Sequence, residues 1–103
     1  MKKTDKTANG TSFHDVTITA TLQQLITILG EPTSDNNTGD NKVNIEWVCE
    51  NNDGILVTIY DWKENRPINN NENIKWHIGG YGIKDTLTAK LEILRLLNDT
   101  KNN

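Results

Sequence analysis

The chain holds few side chains suited to nucleophilic or general-base chemistry. They are His14, His77, Cys49, Ser12 and Ser34. Asp15, Glu46, Asp61 and Glu72 are the acids considered with them; Asp15 adjoins His14 and Glu72 precedes His77 by five residues, while Glu46 and Asp61 lie farther off. No His-x-x-x-His or His-x-x-Glu spacing occurs, so a metal site would need ligands brought together from distant segments. His77 follows Trp76 on an alternating segment and reads as a half-exposed strand histidine. Ser12 and Ser34 sit in irregular or turn-like sequence. Cys49 falls on an apolar strand face, where a thiol packs as a small hydrophobe. No triad and no glycine-rich phosphate loop is present. The chain is therefore read as a non-enzyme with no metal and no cofactor.

Binding chemistry is better represented. Tyr60 and Trp62 share one face of a strand, Lys63 and Arg66 follow directly, and Lys75 and His77 lie on the next strand. Aromatic faces beside cations can stack a base and hold phosphate, or form a protein hot spot. Arg66 is suited to bidentate phosphate pairing. Gly79 and Gly80, with Gly82 just beyond, read as a strand-to-helix connection whose backbone donors could also cradle an anion. The candidate ligand site is thus Tyr60, Trp62, Lys63, Arg66, Lys75, His77, Gly79 and Gly80. Its face either lies open or is covered by a helix, and the pattern allows both.

The elements that position these residues follow from periodicity. Leu22, Leu25, Ile26 and Leu29 form a helical stripe over 21–29. Thr21 and Gln24 fit a capping box. Gly30 and Pro32 supply a stop. Val43, Ile45, Trp47 and Cys49 alternate with Asn44, Glu46, Val48 and Glu50 and predict a strand over 43–50. Asn51-Asn52-Asp53-Gly54 is a hairpin signal. The run 55–62 is apolar on both faces and predicts a central strand. After a polar loop over 63–73, Ile74, Trp76 and Ile78 predict a strand over 74–79. A second helix over 86–98, capped by Asp85 or Thr86, has Leu87, Leu91, Leu94 and Leu97 or Asn98 along its apolar face, with Ile93 and Leu96 widening it. Residues 13–19 read as a weak strand or extended lead-in.

Consecutive strands with short turns imply an α+β fold: a three- to four-stranded antiparallel meander with two helices packed on one face. The expected core is Leu22, Leu25, Leu29, Ile45, Trp47, Val57, Ile59, Trp76, Ile78, Leu87, Leu91 and Leu94. Residues 1–11 read as a disordered tail, 12–98 as a single domain, and 99–103 as a frayed end.

Size and composition bound the rest. At 103 residues there is room for one small domain. Eleven Lys and Arg against 14 Asp and Glu give a net charge of -3, with a pI near 5.2. That balance speaks against binding nucleic acid through its phosphate backbone. One cysteine excludes an intramolecular disulfide and suits a reducing compartment. The basic start lacks an apolar region after it and reads as no signal peptide, with no lipobox. No apolar run reaches transmembrane length, and no membrane partner is expected. Asn and Thr are abundant, at 15 and 13 residues, and concentrate in tracts read as solvent loops.

The segments Leu22–Pro32, Asp40–Trp47, Val57–Lys63 and Trp76–Gly80 carry the pattern L-x-x-L-x-x-x-L-G-E-P … E-W … T-I-Y-D-x-K … W-H-I-G-G. This pattern resembles a family of small tailed-phage and prophage accessory proteins. The Leu-Gly-x-Pro helix end before a meander is also similar to small lipoprotein and inhibitor folds of the outer-membrane assembly type, whose location the missing lipobox disfavours. The phage resemblance implies action in the host bacterial cytoplasm, against host defence. Two functions are then expected as alternatives. One is sequestration of a nucleotide-derived immune signal by a homo-oligomer whose subunits close over the ligand. The other is inhibition of a host defence protein, in the manner of an anti-CRISPR.

Overall fold

A computed structural model describes residues 1–101. The chain runs β1 (Lys2–Lys3), β2 (Ser12–Thr21), α1 (Leu22–Leu29), β3 (Ser34–Asp35), β4 (Ile45–Glu50), β5 (Leu56–Tyr60), β6 (Asn73–Gly80) and α2 (Ile83–Lys101). Every pairing is antiparallel. The sheet order is β1-β4-β5-β6-β2, with β3 also on β4. The α+β class holds, and β4-β5-β6 is the expected meander. The sheet has six strands rather than three or four. Two extra strands are only two residues long and carry no periodic signature. β2 is a full ten-residue strand, whose inward positions are Val16, Ile18 and Ala20.

α1 forms as its sequence dictates. Thr21 Oγ1 accepts from the Gln24 N–H, and the Gln24 side chain accepts from the Thr21 N–H. Gly30 ends the helix at φ +84, donating its N–H to the Ile26 carbonyl. One core collects Val16, Ile18 and Ala20 of β2, the odd positions of β4 and β5, and Ile74, Trp76 and Ile78 of β6. Leu22, Leu25 and Leu29 of α1 and Ala89, Ile93 and Leu97 of α2 complete it. Both helices therefore pack on the same face of the sheet. At its centre Trp47 and Trp76 meet edge to face, 5.4 Å between centroids. Their indole N–H groups donate to the carbonyls of Gly30 and Ala20, so neither ring buries an orphan donor.

The phase of α2 differs from expectation. Leu87, Leu91 and Leu94 are exposed, at 47%, 64% and 42%. The buried stripe is Thr86, Ala89, Ile93 and Leu97. The reason is proximity. A Cβ on Gly80 would lie 3.0 Å from Thr86 Cγ2, so the first half of the helix lies close against β6. Small side chains face the sheet there, whereas a reading weighted by side-chain size selects the leucines.

The first residues do not form a loose tail. Lys2 and Lys3 pair with Glu50 and Cys49, and the Thr4 N–H donates to the Val48 carbonyl. β1 and β2 stand at opposite edges of the sheet, so residues 4–11 must cross it. They cross the face away from the helices. Lys6 pairs with Glu50 at 2.7 Å, Thr4 Oγ1 donates to the same carboxylate, and Gly10 packs against the Tyr81 ring. This strap occupies one half of the outer face. At the other terminus α2 continues through Lys101; Asn102 and Asn103 of the expected frayed end lie outside the described residues.

Several asparagines in the Asn-rich tracts are structural. Asn51 Oδ1 accepts from the N–H groups of Asp53 and Ile55, fixing the β4–β5 turn. Asn37 exchanges two bonds with Ile68, which buries the Ile68 side chain and anchors the long loop before β6.

Candidate functional site

The half of the outer face not crossed by the strap presents the site, and both helices lie behind it. Cross-strand register sets one row: Glu46 opposite Tyr60, Tyr60 opposite His77, His77 opposite Thr17. Side chains of such a row project the same way. Trp62 follows two residues after Tyr60, and its ring centroid lies 6.5 Å from that of Tyr60 and 6.0 Å from that of His77.

Phe13 joins from the edge strand. β2 bulges between Phe13 and Thr17, with Asp15 at φ 63. The bulge sets Phe13 opposite Gly79, and its ring leans diagonally onto His77, 4.2 Å between centroids and 23° between planes. Phe13 and Trp62 remain 38% and 40% exposed. The result is an uncovered aromatic surface of Phe13, His77, Tyr60 and Trp62. Lys63 Nζ sits 5.5 Å above the Trp62 ring, within cation–π range.

A shallow cavity of about 250 Å³ opens beside these rings, lined by Thr11, Ser12, Val43, Glu46, Thr58, Tyr60, Trp62 and Gly79. Gly79 is required here: a Cβ would stand 2.5 Å from Thr58 Oγ1. Burial raises the Glu46 carboxyl above its ordinary range. Burial, then the Glu46 charge, raises the Tyr60 phenol. His77 is shifted down, by burial first and then by the Lys75 charge, against an opposing pull from Glu64. The row therefore favours a neutral imidazole and a neutral phenol at neutral pH.

Asp61 positions this corner. It is fully buried. Its Oδ1 accepts from the N–H groups of Asn44 and Ile45, at 2.8 and 2.9 Å, and its Oδ2 from Asn44 Nδ2. The Lys63 N–H in turn donates to the Lys42 carbonyl. The chain leaving β5 is thus tied to the chain entering β4, which fixes where Trp62 emerges.

Of the residues singled out from sequence, Tyr60, Trp62, Lys63 and His77 come together. Lys75 is exposed on β6, opposite Thr19, at the end of the same face. Arg66 stands differently. Its guanidinium pairs with Glu72 at 2.6 Å and lies 3.7 Å from Glu64, so both terminal nitrogens are engaged. Gly79 and Gly80 form no turn. They lie inside β6, paired with Thr58 on one side and with Phe13 and Ser12 on the other. An anion cradle at a glycine turn is not formed. Sequence reading missed Phe13 and Thr58 and left Glu46, noted only as an acid, outside the site. The bulge breaks the β2 alternation that would have placed Phe13, and the other two depend on strand register.

The cavity wall carries the hydroxyls of Thr11, Ser12, Thr58 and Tyr60. Cys49 is on the helix-facing side, its thiol pushed up to about 11, chiefly by burial, which keeps it unreactive. Among the described residues no group of three or more His, Cys, Asp and Glu is placed to hold a metal ion. No helix among them is long and apolar enough to cross a membrane. No protein-family model, curated protein or solved structure matches the chain.

Proposed function

We propose that this protein is a non-catalytic binder that holds the planar base of a nucleotide-derived signal on its open sheet face, and so sequesters it. The observation carrying this reading is the uncovered aromatic surface beside a cavity. An exposed Trp62 and a Phe13–His77 stack offer faces to a flat ring, and stacking tolerates any base. Glu46 in the cavity wall can accept from an exocyclic amine when ionised. Lys63 and Lys75 flank the rings and supply the charge for phosphate, the role Arg66 cannot take while paired with Glu72. The resemblance to phage accessory proteins supports an immune signal as the ligand class.

The cavity volume sets a limit. Small-molecule pockets run from about 300 to 1,000 Å³, so about 250 Å³ suits one base and not a dinucleotide. A larger ligand would be enclosed by a second copy.

Calorimetry with cyclic dinucleotides and ADP-ribose derivatives tests the reading. Loss of one stacking face is worth about 1–3 kcal/mol, roughly five- to 150-fold in affinity, so Trp62→Ala should bind that much more weakly than wild type. Arg66→Ala should bind like wild type. Binding of no member of the panel would remove the ligand class. Equal binding by Trp62→Ala would remove the site.

A further inference from the structure

On the opposite side of the molecule, α2 carries a second exposed surface. Ile83, Leu87, Leu91 and Leu94 are 59%, 47%, 64% and 42% exposed. At about 100° per residue they fall within roughly 40° of one line along the helix. The buried stripe of Thr86, Ala89, Ile93 and Leu97 lies roughly 80–160° away on one side. On the other side Glu92 turns toward the β4–β5 turn, where a small cavity is lined by Asn51, Asn52, Asp53, Thr88, Leu91, Glu92 and Arg95. The apolar line is therefore an outward ridge, with Leu91 and the flanking Arg95 at its margin beside that cavity.

The charges around the ridge are sorted by sign. Lys84 and Arg95 flank it at roughly 60–80° on one side and Lys90 at roughly 60° on the other. Asp85, Glu92 and Asp99 fall roughly 120–160° away, below the flank. Among the described residues, Lys84, Lys90 and Arg95 form no ion pair, although carboxylates lie within a helical turn. A second copy meeting the ridge in antiparallel α2–α2 packing would bring like flanks together, cation against cation. The complementary occupant is apolar at its centre and anionic at its margins. A convex ridge with cations on both flanks fits a flat surface of that kind.

We propose that α2 docks this protein on an anionic lipid surface, with Ile83, Leu87, Leu91 and Leu94 entering the headgroup–acyl boundary and Lys84, Lys90 and Arg95 held at the lipid phosphates. Adsorption of this kind needs no spanning helix, so the lack of a transmembrane-length apolar run does not bear on it. It leaves the aromatic face on the far side of the sheet free, and stands or falls independently of the ligand reading.

The test is co-sedimentation of the full chain with vesicles of phosphatidylcholine alone and of phosphatidylcholine mixed with phosphatidylglycerol. The chain should sediment with the mixed vesicles at low ionic strength, stay in solution with the neutral ones, and be released by salt. Leu87→Gln with Leu91→Gln, both at exposed positions, should abolish sedimentation while leaving the thermal transition in place. Lys84→Gln with Arg95→Gln should weaken it about ten-fold or more. No sedimentation with the anionic vesicles overturns the proposal, as does sedimentation that the leucine double variant leaves unchanged. A dimer in sedimentation velocity that the leucine variant dissociates would assign the ridge to a second copy, and a vesicle-inert ridge that binds an acidic protein would assign it to that class. Either result also overturns the proposal.

Discussion

Asp61 shows how one side chain holds the corner of the aromatic face. It replaces strand pairing where β5 ends, accepting from two backbone donors that no strand partner reaches. Asp61→Ala leaves both N–H groups buried and unpaired, at about 1–3 kcal/mol each. The variant should lose about 2–5 kcal/mol in urea denaturation. Asp61→Asn keeps an acceptor oxygen and should lose less than half as much. A loss under about 0.5 kcal/mol for Asp61→Ala, the range of ordinary surface changes, would mean that water satisfies those donors. Nearby, Gly79 works by subtraction. Its missing side chain leaves room for Thr58 and the Tyr60 ring beside it.

At the level of elements, α2 separates what sequence specifies from what packing decides. Its length and amphipathicity are legible, but its phase is not. Two apolar stripes run along it, and the one that faces the sheet is the one containing Thr86 and Ala89, chosen by distance to Gly80. Ile93→Ala should therefore cost about 2–5 kcal/mol, while Leu91→Ala should stay within about 0.5 kcal/mol. Equal losses in chemical denaturation would restore the leucine-facing phase. α1, by contrast, is written out in full, because its cap, stripe and stop residues act locally. The meander is equally legible through the alternation of Ile45, Trp47 and Cys49 and of Ile74, Trp76 and Ile78. Tyr60, Trp62 and His77 are recoverable as neighbours from that meander. Phe13 is not, because a bulge on a strand distant in sequence delivers it. Arg66 misleads for the opposite reason: its partner Glu72 lies in the same loop, and an intraloop ion pair leaves no trace in spacing.

Across the whole molecule, the strap gives the outer face a pH-dependent cover. Hydrogen bonds from Lys6 and Thr4 hold the Glu50 carboxyl below its ordinary range, and the Glu50 partner raises Lys6. The Glu50 contribution is present above its ordinary value of 4.5 and is lost as pH falls through the lowered folded value. The Lys6 contribution is present below its ordinary value of 10.5 and is lost as pH rises through the raised one. Amide chemical shifts of Thr4 and Lys6 should therefore show an acid step below the ordinary carboxylate range, and Glu50→Gln should remove it. A step that persists in Glu50→Gln would assign the effect to another carboxylate. The strap also has a consequence for synthesis. Residues 2–21 supply outermost strands on both sides of the sheet, yet their partners in β4 and β6 leave the ribosome later. The segment made first must wait for the meander and dock after it. Until then β4 and β6 present unpaired backbone to any neighbouring chain. Only when these earliest-made strands fold back are the meander's own edges covered, leaving the bulged β2 as an outer edge of the sheet.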